Sequence, residues 1–240
     1  MDQEKIVDWL SKGCEQIQLV LTDQQVRILA AYAEKVLATN ETMNLTRITA
    51  LAEFAIKHYV DSLSCLKAGV DLNSRGIDVG TGAGFPGLVL AVHNRQSNVT
   101  LLDSLEKRVK FLVRSSEELK IDNVECIHGR AEDLGQRQSR REKYDWAVAR
   151  AVAPLPVLLE LCIPFVKKKG SFIAMKSGNV SQEIDNSQRA AEIMGAELAE
   201  VRIFELPYNM GLRSLVLYRK VEVTPNKYPR KPGVPQKRSL

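Results

Sequence analysis

Gly76-Ile-Asp-Val-Gly-Thr-Gly-Ala-Gly-Phe-Pro-Gly87 sets an acidic residue at the end of a short apolar run, immediately before three alternating glycines. Ile77 and Val79 favour a strand, while Gly80, Gly82 and Gly84 let the main chain turn sharply and approach a ligand with no Cβ in the way. Pro86 is favoured in a first helical turn, so the stretch predicts strand, turn and helix. Such a loop reads as a nucleotide-cofactor loop.

Two cofactor classes fit it. Gly82-Ala-Gly-Phe-Pro-Gly87 spells G-x-G-x-x-G, and Asp103 follows Gly82 by 21 residues, close to the acidic position expected for a dinucleotide ribose. Asp78 points the other way, because a carboxylate at the strand end repels a pyrophosphate seated on the glycines. S-adenosyl-L-methionine has no phosphate and carries a cationic sulfonium and α-ammonium, which a carboxylate favours. NAD stays open at this point, as does an ordinary tight turn with a solvated Asp78.

The chain has 240 residues, 45% of them hydrophobic, enough for one large α/β domain with an appendage. Its most apolar stretch, Ala147 to Val166, contains Arg150, Glu160 and three prolines, so no membrane span is expected. The start Met1-Asp-Gln-Glu-Lys5 lacks the basic-then-apolar plan of a secretory signal. Cys14, Cys65, Cys126 and Cys162 are far apart inside apolar patterns and read as reduced core thiols of a cytoplasmic protein. With three scattered histidines, they offer no metal site. The net charge of +5 equals the five basic residues of Thr224 to Leu240 (Lys227, Arg230, Lys231, Lys237, Arg238), a segment without acids, so the body is balanced. That tail holds four prolines and should be extended and mobile, able to follow a phosphate backbone or merely to solubilise.

Three regions are expected: 1–70 helical, 71–222 a Rossmann-like domain, and 223–240 a basic Pro-rich tail. Thr22 and Gln25 form a capping box before Val26, Leu29, Ala30, Ala33, Val36 and Leu37 at helical spacing. A second amphipathic helix covers about 50–67, with Ala55, Tyr59, Leu63 and Leu66 on its apolar face. His58 and Asp61, three residues apart, could hydrogen-bond in a structural or surface role. Strands are expected near 76–79, 98–103, 124–128, 144–149 and 171–175, separated by helices near 86–94, 105–119, 155–168 and 180–195. Regular alternation implies a mostly parallel sheet with helices on both faces. Strands near 200–206 and 214–220 are too close for a crossover and close the sheet as an antiparallel hairpin. This is the plan of a class I S-adenosylmethionine-dependent methyltransferase domain.

Ligands of such a sheet bind beyond the carboxyl ends of its strands. Those ends carry Asp78 and the glycines, Asp103, Gly129-Arg-Ala-Glu-Asp133, Arg150 and Lys176. Asp103 can accept two ribose hydroxyls or cap a helix; Glu132 or Asp133 can receive an adenine amino group, with the N–H of Ala131 or Glu132 for a ring nitrogen. Arg130, Arg150 and Lys176 converge on the same edge, with Arg213 joining from the hairpin, which points to an anionic substrate unless the arginines pair with Asp78 or Glu132. Where exocyclic-amine methylation commonly uses an Asp/Asn-Pro-Pro-aromatic loop, this chain has Ala149-Arg-Ala-Val-Ala-Pro154, and Cys162 is not at a strand end for pyrimidine C5 chemistry. Guanine N7 needs neither device.

Met43-Asn-Leu-Thr46, Lys57-His-Tyr-Val-Asp-Ser62, Asp78 to Gly87, Leu102-Asp-Ser-Leu-Glu-Lys-Arg108 and Ala149-Arg-Ala-Val-Ala153 together resemble, in order and over nearly the full chain, the ribosomal RNA small-subunit methyltransferase G family, also called glucose-inhibited division protein B. The resemblance implies methyl transfer from S-adenosyl-L-methionine to N7 of a guanine in 16S ribosomal RNA near the decoding region, by a cytoplasmic enzyme expected as a monomer without metal. It implies cofactor contacts at Gly80, Phe85, Ala131, Glu132 and Arg150, with Asp103 near the ribose. Arg130, Arg150 and Arg213 match basic positions linked in that family to RNA or catalysis.

Overall fold

The structure is a computed structural model that describes residues 3–240; Met1 and Asp2, the first residues of the expected helical region, lie outside the described residues. The chain opens with helices α1 (Gln3–Gln16) and α2 (Asp23–Met43). α2 starts as its sequence dictates: Thr22 Oγ1 accepts from Gln25 N at 3.3 Å and Gln25 Oε1 from Thr22 N at 2.7 Å, a reciprocal capping box.

The helix expected over about 50–67 is not one regular helix. It runs α3 (Leu51–Phe54), a π-helical turn (Ala55–Val60), α4 (Asp61–Leu63) and a 3₁₀ turn (Ser64–Ala68). Ala55, Tyr59 and Leu63 are buried as expected, but so are His58 and Asp61.

β1 (Arg75–Val79), α5 (Gly87–His93), β2 (Asn98–Asp103), α6 (Glu106–Glu118), β3 (Val124–His128), α7 (Ala131–Leu134), β4 (Tyr144–Arg150), α8 (Leu155–Cys162), β5 (Val166–Ser177), α9 (Ser181–Met194), β6 (Ala196–Glu205) and β7 (Leu212–Lys220) follow. The seven strands form one sheet in the order β3-β2-β1-β4-β5-β7-β6. The first five are parallel, and β7 runs antiparallel to both β5 and β6.

Apolar side chains alternate along each strand between two core layers, one beneath the N-terminal helices with α5 and α6, the other beneath α8 and α9. Trp146 and Val148 of β4 enter the first layer, Ala147 and Ala149 the second. The strand order reverses at β1, with β2 on one side and β4 on the other. That switch point leaves a crevice outside the carboxyl ends of β1 and β4, where the glycine loop and Arg150 lie.

β5 begins at Val166, five residues before the expected start, because the exposed run Lys167–Lys169 hides a strand from any hydrophobic pattern. The C-terminal segment departs further from its expectation as an extended, mobile arm. It folds back on the domain and ends in a short helix, α10 (Val234–Lys237). Arg141 donates to the carbonyls of Tyr228 at 2.7 Å and Thr224 at 2.7 Å, and Gln136 to those of Asn226 at 3.1 Å and Pro229 at 2.9 Å. The four cysteines are free, and burial pushes the Cys14 thiol up to about 12. Among the described residues no helix is long and apolar enough to cross a membrane.

Candidate active site

The glycine loop is held from three sides. Gly80 N and Thr81 N donate to Leu102 O of β2 at 2.8 and 3.0 Å, and Asp78 Oδ2 accepts from Thr81 Oγ1 at 2.7 Å and from Gly87 N at 2.7 Å. From α2, Tyr32 Oη donates to Ala83 O at 2.8 Å; a Cβ on Gly84 would sit 2.8 Å from that hydroxyl, so only glycine fits there. The N-terminal helices thus buttress the loop. Gly82, at φ +61°, faces the other way: a Cβ there would meet nothing within 4 Å. Its N–H donates to Asp103 Oδ2 at 2.9 Å, while Asp103 Oδ1 accepts from Leu105 N at 2.9 Å and so turns the chain into α6.

Asp78 is fully buried beneath the loop, and its Oδ1 is the one buried carboxylate oxygen without a partner among the described residues. Burial raises this carboxyl to about 6, against the lowering effect of the Thr81 and Gly87 hydrogen bonds.

Two clefts flank the loop that follows β4. The first is lined by Gly80, Asp103, Ala131, Glu132 and Val152, and Arg130 stands in it with its Nη2 on Glu132 Oε1 at 3.1 Å. Glu132 is buried and Asp133 exposed, so of the two only Glu132 belongs to the cleft.

The second cleft brings together Arg150, Lys176 and Arg213 with Lys57, His58 and Asp61. Arg130 is therefore not part of the same cluster as Arg150, Lys176 and Arg213, although the strand ends and the hairpin place all four on one edge of the sheet. Asp61 is the hub: Oδ2 accepts from Arg150 Nη1 at 2.9 Å and Oδ1 from Arg213 Nε at 3.1 Å. Its side chain is 5% exposed, against 14% for Arg150 and 17% for Arg213. Lys57 is paired with Glu53 at 2.6 Å and Lys176 with Glu183 at 2.8 Å. One carboxylate for two guanidinium groups leaves this cleft with surplus positive charge.

The π-helical turn explains how Arg150 is seated. In an α-helix Asp61 N–H would bond the carbonyl of Lys57; here it bonds those of His58 and Ile56. The skipped Lys57 carbonyl accepts instead from Arg150 Nη1 at 2.9 Å. His58 holds the other side of the guanidinium. Arg150 Nη2 lies 3.1 Å from His58 Nδ1, and since arginine can only donate, Nδ1 accepts and the ring proton sits on Nε2, facing Thr46 Oγ1 at 2.8 Å. Burial first, then the Arg150 charge, lower His58 to about 3, so it is neutral. Its ring stacks on Phe85 of the glycine loop, centroids 4.4 Å apart and planes 3° apart. Phe85, itself buried, thereby connects the loop to the basic cleft.

Sequence reasoning paired His58 with Asp61; both instead converge on Arg150. The spacing of His58 and Asp61 within Lys57-His-Tyr-Val-Asp-Ser62 carries the signal, but no helical period reveals a π turn. Among the described residues, no group of three or more His, Cys, Asp and Glu side chains could hold a metal ion.

A sequence profile described as rRNA small subunit methyltransferase G matches residues 25–210. The chain is 47% identical over 233 residues to the ribosomal RNA small subunit methyltransferase G of Alkaliphilus metalliredigens, covering 96% of this chain and 97% of that protein. It is 44% identical over 242 residues to the protein of the same name from Acetivibrio thermocellus, covering both chains completely. A crystal structure of a SAM dependent methyltransferase from Aquifex aeolicus superposes with a TM-score of 0.50 at 18% identity, over 67% of this chain and 90% of that one, a likeness of fold. With this fold, this site and this match over three quarters of its length, the chain belongs to the rRNA small subunit methyltransferase G family.

Proposed function

We propose that this chain transfers the methyl group of S-adenosylmethionine to N7 of a guanine in 16S ribosomal RNA near the decoding region, acting as a monomer without metal in the cytoplasm. The observation that carries the reading is the contact of a cofactor loop with a cationic cleft: Phe85 of the loop stacks on His58, which holds Arg150.

The residues present fit the cofactor. The unpartnered Oδ1 of Asp78 is an acceptor suited to an α-ammonium, and the face of the loop at Gly82 has open space above it. Asp103 stands at the end of β2 for a ribose, and Ala131 and Glu132 line the same cleft for an adenine. Bound there, S-adenosylmethionine supplies an electrophilic methyl group on a sulfonium.

The second cleft suits a substrate that needs orientation more than proton transfer. Both oxygens of Asp61 are taken by arginines and the His58 Nδ1 lone pair by Arg150, so neither is free to act as a base. Guanine N7 already has an in-plane lone pair and asks for none. Arg150 and Arg213 can donate to phosphate oxygens and to guanine O6, and their fixed geometry aligns the base before reaction. Lys176, held by Glu183, adds to the attraction for an RNA backbone.

The test is to incubate the purified protein with methyl-labelled cofactor and small ribosomal subunits that lack the modification, digest the RNA and separate its nucleosides. Label in 7-methylguanosine supports the reading; label in another nucleoside, or in protein, refutes it.

A further inference from the structure

The C-terminal segment contributes a wall of the first cleft. Gln236, in α10, lines that cleft together with Gly80, Asp103, Arg130 and Glu132. Three residues earlier, Gly233 N donates to Glu132 Oε1 at 3.0 Å, the same oxygen that accepts from Arg130. The segment is anchored upstream by Arg230, whose Nη2 lies 2.6 Å from Glu160 Oε2 while its main-chain N–H donates to Glu160 Oε1 at 2.8 Å. Glu160 is fully buried in α8, so this is a fixed attachment and not a surface contact. The match to the family profile ends at residue 210, so the whole strap lies beyond the pattern that identifies the family.

We infer that residues 231–240 form the outer wall of the adenosine half of the cofactor pocket, with Gln236 as a residue that recognises the adenine. This rests on the cofactor reading above. Glu132, the acidic group on this side of the cleft, already accepts from Gly233 and Arg130. Gln236, in contrast, is exposed on the rim, and among the described residues its side chain has no hydrogen-bond partner that would compete with a ligand. Its carboxamide offers a donor and an acceptor side by side, the complement of adenine N7 and N6–H₂. The strap is thus a binding element, which is a different role from that of an arm trailing along RNA.

The test compares the full chain with a chain ending at Arg230, which keeps the Glu160 attachment, and with Gln236→Ala. S-adenosylhomocysteine and 5′-methylthioadenosine are titrated calorimetrically, and dissociation rates are measured. Loss of one or two hydrogen bonds predicts affinity lower by roughly tenfold for the shortened chain and a smaller loss for Gln236→Ala, equal for both ligands because they share the adenosine. In the unaltered full chain, saturating S-adenosylhomocysteine should slow tryptic cleavage after Lys237 and Arg238, a readout that needs neither activity nor a variant. Unchanged affinity in both variants, a loss confined to S-adenosylhomocysteine, or ligand-independent cleavage would each overturn the inference while leaving the proposed function standing. If the full chain binds neither ligand, the inference and the cofactor reading fall together.

Discussion

Arg150 Nη1 donates to the main-chain carbonyl of Lys57 at 2.9 Å, the carbonyl that the π-helical turn leaves out of its own hydrogen-bond ladder. A defect in helix geometry thereby becomes a socket for a guanidinium. With Asp61 and His58 completing it, the N-terminal helices build half of the basic cleft as well as supporting the glycine loop through Tyr32.

Asp61→Asn should separate RNA chemistry from cofactor binding. It removes the charge shared by Arg150 and Arg213 and one of the two acceptors. Misplacing a positioning group can cost about 10²-fold in rate, so methyl transfer to RNA should fall by about two orders of magnitude while cofactor affinity, measured by calorimetry, stays within about twofold. Equal losses in both would contradict the division between the two clefts.

Cofactor affinity should depend on pH through Asp78. Burial holds this carboxyl at about 6, above its ordinary 3.8. The ionised form is the one that suits an α-ammonium, so affinity should rise as pH increases through 6 and level off above 7, dropping by up to about tenfold per unit below 6. For the unliganded protein the sign is the reverse: stability from this group is fully present below 3.8 and is lost as pH rises through 6. Asp78→Asn keeps an acceptor for Thr81 and Gly87 and should flatten the binding profile; a profile unchanged by that substitution would remove Asp78 from the binding step.

His58 works against stability in acid. Its folded-state value of about 3 lies below the ordinary 6.5, so the unfolded chain takes up the proton first. Stability from keeping this ring neutral is intact above 6.5 and is lost as pH falls towards 3, by at most about 1.4 kcal/mol per unit. Denaturant titrations at pH 7, 6 and 5 should show a steeper loss for the wild-type chain than for His58→Gln. Nitrogen chemical shifts of the imidazole should report the Nε2–H tautomer throughout that range, and a protonated ring at pH 6 would refute the assignment.

Arg230→Ala should destabilise the fold by about 2–4 kcal/mol, since it strands the buried Glu160 carboxylate. Glu160→Gln in the same chain should recover part of the loss, because a neutral amide is less costly to bury. Thermal unfolding of the two single variants and the double variant measures the coupling; additive effects would mean that the Arg230–Glu160 pair is not what holds the segment.

What the sequence disclosed depended on whether the cause was local. Ile77 and Val79 before alternating glycines, and Thr22 before Gln25, carry their structural consequences within a few residues, so β1, the glycine turn and the start of α2 were legible. The alternation of strands and helices was enough for the sheet and its closing hairpin. Strand ends identified Arg130, Arg150 and Lys176 as residues of one edge, but could not tell that the loop after β4 divides that edge into two clefts.

The fate of the tail was decided elsewhere in the chain. Its prolines and lysines predict an extended arm, yet Arg141 and Gln136 supply donors to its carbonyls and Glu160 needs its Arg230. Glu160 within the apolar run of α8 was the available sign, since a carboxylate there requires a partner from somewhere. The π turn left no such trace, because His58 and Asp61 fit a regular helix equally well on paper.

In the proposed reaction the basic cleft presents guanine N7 of ribosomal RNA to the cofactor. That reaction is tested most directly by chemical strand scission at 7-methylguanine in 16S RNA from cells with the gene, without it, and complemented with wild type or Asp61→Asn. One cleavage near the decoding region should disappear when the gene is removed, return with the wild-type chain and stay absent or weak with Asp61→Asn. An identical cleavage pattern with and without the gene would contradict the proposed reaction.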